Sequence, residues 1–196
     1  MASSSLPLSS LGRQTLAALR MLIVFTLVLG IGYPAVVWGV GRVAFHDQAT
    51  GSILQHDGRA VGSSLLGQKF TGPTWFHGRM SASDYAGDTS GGSNLPESDA
   101  RLTKAVAAAR KAAGPIGSRL PPDALTSSAS GLDPHISPAY AALQAAGIAA
   151  ARKVPVATVQ RLIAANTSGR LLGYLGEPRV NVLQLNLALT KLPNAG

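Results

Sequence analysis

The sequence predicts a mixed α/β (α+β) domain attached to one N-terminal transmembrane helix. Two observations carry this prediction. Met21 to Gly41 is an uncharged run of 21 residues bracketed by Arg20 and Arg42. Past Asp47 the pattern changes: Gly-, Ser- and Thr-rich pieces come first, and helix-period stretches take over from Ser98. At roughly 1.5 Å of helix rise per residue the uncharged run is about 31 Å long, which matches a hydrocarbon core of roughly 30 Å. The implied organisation is a disordered tail over residues 1–15, a membrane helix over 16–46 and a soluble domain over 47–196.

The run is longer than the apolar core of a cleaved secretory signal, and Gly41-Arg42-Val43-Ala44-Phe45 follows it, so an uncleaved anchor is the better reading. Leu, Ile, Val and Phe fall on every face of the helix, which a buried core helix would not need. Pro34 removes one backbone donor mid-span and predicts a kink there. Gly30 and Gly32, like Gly39 and Gly41, fit a dinucleotide-loop spacing, but no strand precedes them and they lie inside the span. The segment Met1 to Leu11 holds five serines and no apolar period, hence the tail. Arg13 and Arg20 on the short N-terminal side lean toward a cytoplasmic N-terminus and an extracytoplasmic domain.

Residues 47–196 suffice for one domain with a real core. They carry 14 Lys and Arg against 9 Asp and Glu, a net charge of +5 spread along the chain. With two Trp, four Tyr and four Phe in all, and no basic block interleaved with aromatics, a nucleic-acid groove has little support. A basic domain held at a membrane suits acidic headgroups or an acidic partner. The absence of cysteine excludes a disulfide framework and a thiolate metal site.

Between Ile53 and Asn94 short apolar pieces alternate with turn residues, which predicts strands and structured loops. Ser98 or Asp99 is placed to cap a helix running through Leu102, Val106 and Ala109 to Ala113, ended by Gly114-Pro115. Ser137 with Pro138 opens a second, Ala-rich helix up to Lys153. A third starts near Pro155, with Val156, Val159 and Ile163 on one side, and stops by Gly169. Arg179 to Leu189 fits both periods and is read as a strand passing into a short helix. The Pro-, Gly- and Ser-rich connection from Ala112 to Pro138 is long for a compact domain, and Leu125 and Leu132 predict that it is docked.

Six ordered pieces then bring a family into view: Gly62-Ser63; Gly67-Gln68-Lys69-Phe70; Phe76-His77-Gly78-Arg79-Met80-Ser81-Ala82; Ser90-Gly91-Gly92-Ser93-Asn94; Thr126 through Gly131-Leu132-Asp133-Pro134-His135 to Ser137; and Val180-Asn181-Val182-Leu183-Gln184-Leu185-Asn186 after Gly176-Glu177-Pro178. In this order, behind one N-terminal span, the chain resembles the C subunit of the bacterial Kdp potassium-transporting P-type ATPase. The resemblance covers nearly everything from the span to the C-terminal end.

The resemblance implies a single-pass subunit of the bacterial cell membrane, working in an ATP-driven potassium importer. Its partners would be a potassium-binding, channel-like subunit and a P-type subunit that hydrolyses ATP, within the lipid bilayer. The family subunit holds the assembly together and has been proposed as a catalytic chaperone that raises ATP affinity. No cofactor would be bound firmly, and ATP would be reached only through the hydrolysing partner. The family glutamine assigned to the nucleotide matches Gln144. Here the chain departs from the pattern: Ala145-Ala146-Gly147-Ile148 replaces the family's hydrophobic residue, Pro, Arg and Val, so a cation able to pair with phosphate is missing. An extracytoplasmic Gln144 would also lie across the membrane from cytoplasmic ATP.

The motif residues have plainer readings too. His77 and Arg79 serve equally well to satisfy loop carbonyls and carboxylates, or to meet a partner subunit. His46, His56, His77 and His135 show no paired ligand spacing. Ser90-Gly91-Gly92-Ser93-Asn94 reads as a tight turn more readily than as an anion cradle. Ser127, Ser128 and Ser130 stand in no Gly-x-Ser-x-Gly elbow, and Asp133 reads as a loop turn before Ser137. Neither a phosphate-binding loop nor an Asp-Lys-Thr-Gly is present, so the chain cannot hydrolyse ATP alone. Asn181 and Asn186 lie in an apolar stretch and need partners if buried. The rival reading is a membrane-tethered extracytoplasmic binding domain without a pump partner.

Overall fold

The computed structural model describes residues 8–192. It divides into two compact units, Met1–Ser52 and Ile53–Gly196. In the first, helix α1 (Leu8–Phe25) runs into a π-helical stretch, Thr26–Gly32, and continues as α2 (Tyr33–Ala44). Pro34 explains the change of pitch: it has no N–H for the carbonyl four residues back, and its ring crowds that carbonyl, so the preceding turns widen. The Tyr33 N–H accordingly reaches the Val28 carbonyl, five residues back. The irregularity expected at Pro34 thus lies in the turns before it.

Leu11–Ala44 forms one apolar helix of 34 residues, long enough to cross a membrane, and its most apolar window has no buried residue. Exposed Leu, Ile and Val side chains all around a helix are the pattern of a lipid-facing segment. At its end the Arg42 guanidinium stands 5.8 Å from the Trp38 ring centroid, and a short helix α3 (His46–Ala49) follows. Because α1 begins at Leu8, residues 8–15 are helical where the sequence predicted tail. The rest of that tail lies outside the described residues.

The second unit opens with an antiparallel hairpin, β1 (Ile53–His56) and β2 (Arg59–Ser63). Its two-residue turn, Asp57-Gly58, has positive φ at both positions, the geometry that matches strand twist. Next comes helix α4 (Ala100–Ala112), whose cap Asp99 accepts the Arg101 N–H and whose end is marked by Gly114 at φ +58°. The long connection after it is built rather than structureless: a 3₁₀ turn, Gly114–Arg119, and a helical turn α5 (Pro122–Leu125), with Leu125 and Leu132 buried.

Strand β3 (His135–Ile136) leads into α6 (Pro138–Arg152), capped by Ser137 and closed by Lys153 in the left-handed region. Then follow α7 (Val156–Ala165), β4 (Thr167–Ser168), β5 (Arg179–Asn181) and α8 (Val182–Thr190). The strands form an antiparallel sheet in the order β3-β5-β4. The strand-into-helix reading of the C-terminal segment therefore holds, and Asn181 makes the switch by accepting the Gln184 N–H as the cap of α8.

The core is built on one stripe each of α6, α7 and α8. Ala141, Ala145, Ile148 and Ala149 recur at helical spacing on α6, and the small side chains of the three alanines let Val159 and Ile163 of α7 come close. Val156, expected beside them, is exposed. Val182, Leu185 and Leu189 of α8, Val180, Ile136 and Phe76 complete the cluster.

Candidate functional site

The segments that carry the resemblance converge at two places in the second unit. At the first, two side-chain carboxamides grip consecutive backbone residues. Asn186 of α8 accepts the Phe76 N–H at 2.9 Å and donates to the Phe76 carbonyl at 3.0 Å. Gln144 of α6 accepts the His77 N–H at 2.8 Å and donates to the His77 carbonyl at 3.2 Å. Extended backbone turns successive residues to opposite sides, so each carboxamide acts as one residue of a missing neighbouring strand. Phe76 and Asn186 are sealed off, at 0% and 1% exposure.

His77 Nδ1 lies 3.0 Å from the Phe70 carbonyl, and since a carbonyl only accepts, Nδ1 carries the proton. Phe70 stands 6.0 Å from Trp75, centroid to centroid. Over the Trp75 ring sits Arg152, its guanidinium 4.8 Å from the ring centroid, donating to the Thr74 carbonyl at 2.7 Å and the Leu189 carbonyl at 3.2 Å. Gln68 donates to the Val61 carbonyl at 3.1 Å. Asn181 donates to the Ser64 carbonyl at 2.7 Å, which ties the head of α8 to the segment after the hairpin.

The second place is a knot of loops around Arg79. Its Nη1 meets Asp133 at 3.1 Å and its Nη2 the Ser127 carbonyl at 3.4 Å, while the buried Nε has no hydrogen-bond partner among the described residues. Asp133 also accepts the His135 N–H at 2.9 Å. Burial pushes the Asp133 carboxyl up, but hydrogen bonds from His135 and Arg79 outweigh it and hold it down to about 2. The Tyr85 hydroxyl donates to the Arg79 carbonyl, and burial raises its pKa.

Glycine lets these loops touch. A Cβ on Gly67 would stand 2.6 Å from the Asp133 carbonyl oxygen and 3.1 Å from the Tyr85 ring, and one on Gly92 would stand 2.9 Å from the Ala129 carbonyl oxygen. The Gly67 N–H donates to the Leu132 carbonyl at 2.7 Å, Gly91 to Ser130 at 2.8 Å and Ser128 to Met80 at 3.0 Å. The Ser90–Asn94 stretch is thus not the tight turn the sequence predicted. It is irregular chain laid against residues 128–131, with the Gly91 N–H already engaged. Open pockets of ≈ 400 Å³ and ≈ 510 Å³ share Arg79 in their walls, Ser93 and Asn94 lining the first and Glu177 the second.

Comparison with known proteins gives this arrangement a family. The family model described as "KdpC: K+-transporting ATPase, c chain" matches residues 15–191. The chain belongs to the KdpC family. Among its relatives, each named "Potassium-transporting ATPase KdpC subunit", the protein of Gemmatimonas aurantiaca is 49% identical over 89% of this chain and 91% of its own length. That of Burkholderia vietnamiensis is 50% identical over 85% and 90%, and that of Mycobacterium bovis strain BCG is 48% identical over 92% and 99%. Membership makes the chain a subunit of a Kdp ATPase complex.

Within this KdpC fold the two clusters bring together most of the residues singled out in the sequence. Phe70, Phe76, His77, Gln144 and Asn186 meet in the first, and Arg79, Gly131, Leu132 and Asp133 in the second. Gly78 lies between them, where a Cβ would stand 2.7 Å from the Tyr85 hydroxyl oxygen. Sequence reasoning missed Tyr85, Arg152 and Asp123. Asp123 accepts from both the Ser137 N–H, at 2.7 Å, and the Ser137 hydroxyl, at 3.0 Å, and so braces the cap of α6. Pro122-Asp123 reads only as a turn, and nothing local announces a contact 14 residues away.

The Asp133 carboxyl gives a pH-dependent stability. Its folded pKa of about 2 lies below the ordinary value of 3.8, so its stabilisation is fully present above pH 3.8 and is lost as pH falls toward 2. With the side chain 28% exposed, the loss is about 1–2 kcal/mol. Denaturation midpoints of the detergent-solubilised chain should fall across that interval, and Asp133→Asn should flatten this component.

Proposed function

We propose that the chain is the non-catalytic, single-span subunit that assembles and stabilises an ATP-driven potassium importer. The span lies beside the channel-like and ATP-hydrolysing subunits with its N-terminus in the cytoplasm. The mixed α/β unit lies on the extracytoplasmic face, and ATP hydrolysis lies in the P-type partner. The observation that carries this reading is what the polar side chains of the first cluster and of Asn181 hold: Gln144, Asn186, Asn181 and Arg152 all bind backbone groups of their own chain. Such a unit offers shape to its partners rather than chemistry.

The catalytic-chaperone alternative asks Gln144 to contact ATP. That contact would first have to break the carboxamide's two bonds to His77. Gln144→Ala should therefore cost stability, roughly 1–3 kcal/mol, and leave the apparent ATP affinity of the assembled pump unchanged. A weakened ATP affinity in a complex of normal yield would favour the chaperone.

Topology separates the readings further. The chain has no cysteine, so Ala157→Cys, at an exposed position in the first turn of α7, gives a single labelling site. An impermeant maleimide should label it in intact cells. Labelling only after lysis would put the unit in the cytoplasm, within reach of ATP. Failure of the tagged chain to co-purify with pump subunits would leave the tethered binding domain as the reading.

A further inference from the structure

The connection between β4 and β5 ends in an apolar tip. Leu171, Leu172, Tyr174 and Leu175 are 69%, 74%, 72% and 47% exposed. The tip is ordered by its own backbone: the Leu171 N–H donates to the Leu175 carbonyl at 2.8 Å, and the Leu175 N–H returns to the Leu171 carbonyl at 2.9 Å. Leu172 and Gly173 between them take φ +54° and +83°. At the base, Arg170 donates to the Gly176 carbonyl at 3.1 Å and to both carboxylate oxygens of Glu177 at 3.0 and 3.3 Å. Leu172 therefore sits, exposed, in a backbone region that non-glycine residues rarely adopt.

We propose that this tip docks into the membrane interface, with Leu171, Leu172 and Tyr174 entering the headgroup–acyl boundary and Arg179 facing acidic phospholipid headgroups. Two observations favour lipid over a protein partner. Only eight residues separate the last residue of α2, Ala44, from the first of β1, Ile53, so the chain reaches at most about 28 Å from the span's end to the unit. Its chemistry is that of an interfacial anchor, leucines and a tyrosine with Arg179 behind them, while Arg170 and Glu177 neutralise each other at the base. A net charge of +5 over residues 47–196 adds attraction to anionic lipid.

The inference rests on the reading of Leu11–Ala44 as a membrane anchor, and it holds for either face of the bilayer. Full-length Leu172→Cys and Tyr174→Cys variants carry a nitroxide label in vesicles of phosphatidylcholine and phosphatidylglycerol, and Val37→Cys in the span serves as the insertion control. Collision with dissolved oxygen should exceed collision with a water-soluble nickel chelate at both tip positions, as it does at Val37, and the reverse should hold at Ala157→Cys. Tip labels open to the chelate while Val37 is protected overturn the docking and leave the anchor standing. Chelate access at all positions overturns both. Labels that become shielded from both reagents only when the pump subunits are present make the tip a protein contact, and that too overturns the proposal.

Discussion

Replacing Asn186 by alanine should lower the stability of the second unit by roughly 2–5 kcal/mol, a large share of what holds a domain together. The carboxamide satisfies both backbone groups of Phe76 in a place water does not reach. Alanine leaves a buried N–H and a buried carbonyl without partners, and each costs about 1–3 kcal/mol. Asn186→Asp should not rescue it, because a second carboxylate oxygen would face the Phe76 carbonyl where Nδ2 now donates. Denaturant midpoints of the full chain in detergent, with the yield of assembled pump alongside, provide the measurement. The loss should exceed that of Gln144→Ala, since His77 is only half-buried and water can take over there. Equal effects, or none at Asn186, would mean that the paired clamps do not hold residues 76 and 77.

Much of the fold is legible in the sequence because its signals are local. Asp99, Ser137-Pro138 and Gly114 mark helix ends through chemistry acting within a few residues, and the uncharged run between Arg20 and Arg42 needs only its length. The dual period of residues 179–189 resolves because Asn181 both ends β5 and caps α8. The site is less legible because its bonds are remote. Asn186 and Phe76 are 110 residues apart, Gln144 and His77 are 67, and Arg79 and Asp133 are 54. Sequence reading marks these residues as unusual and suggests Asn181 and Asn186 as cross-links, without saying to what. The resemblance directs attention from Gln144 to a nucleotide, while its carboxamide lies against a backbone segment. The widened turns ahead of Pro34 are only partly legible: a missing donor and a crowded carbonyl announce a disturbance in the preceding turn, but not that it reaches back to Thr26.

Gly67→Ala should cost the loop knot roughly 1–3 kcal/mol, with a matching fall in complex yield. The added Cβ meets the Asp133 carbonyl oxygen at 2.6 Å on one side and the Tyr85 ring at 3.1 Å on another. Moving away from the first contact therefore does not free the second, and the backbone is held in place by the Gly67 to Leu132 hydrogen bond. Relief has to come from the Leu132–Asp133 strip, which carries the carboxylate that pairs with Arg79. The substitution should thus also raise the Asp133 pKa toward its ordinary value and shrink the acid-dependent stability along with the total. Gly91→Ala separates packing from glycine content: it lies in the same knot, but its Cβ would meet nothing within 4 Å, and its effect should stay within about 0.5 kcal/mol. If the two variants unfold alike, the close approach at Gly67 is not what the knot depends on. If Gly67→Ala loses stability but keeps the full pH dependence, the Arg79–Asp133 pair stands independently of the loop packing around it.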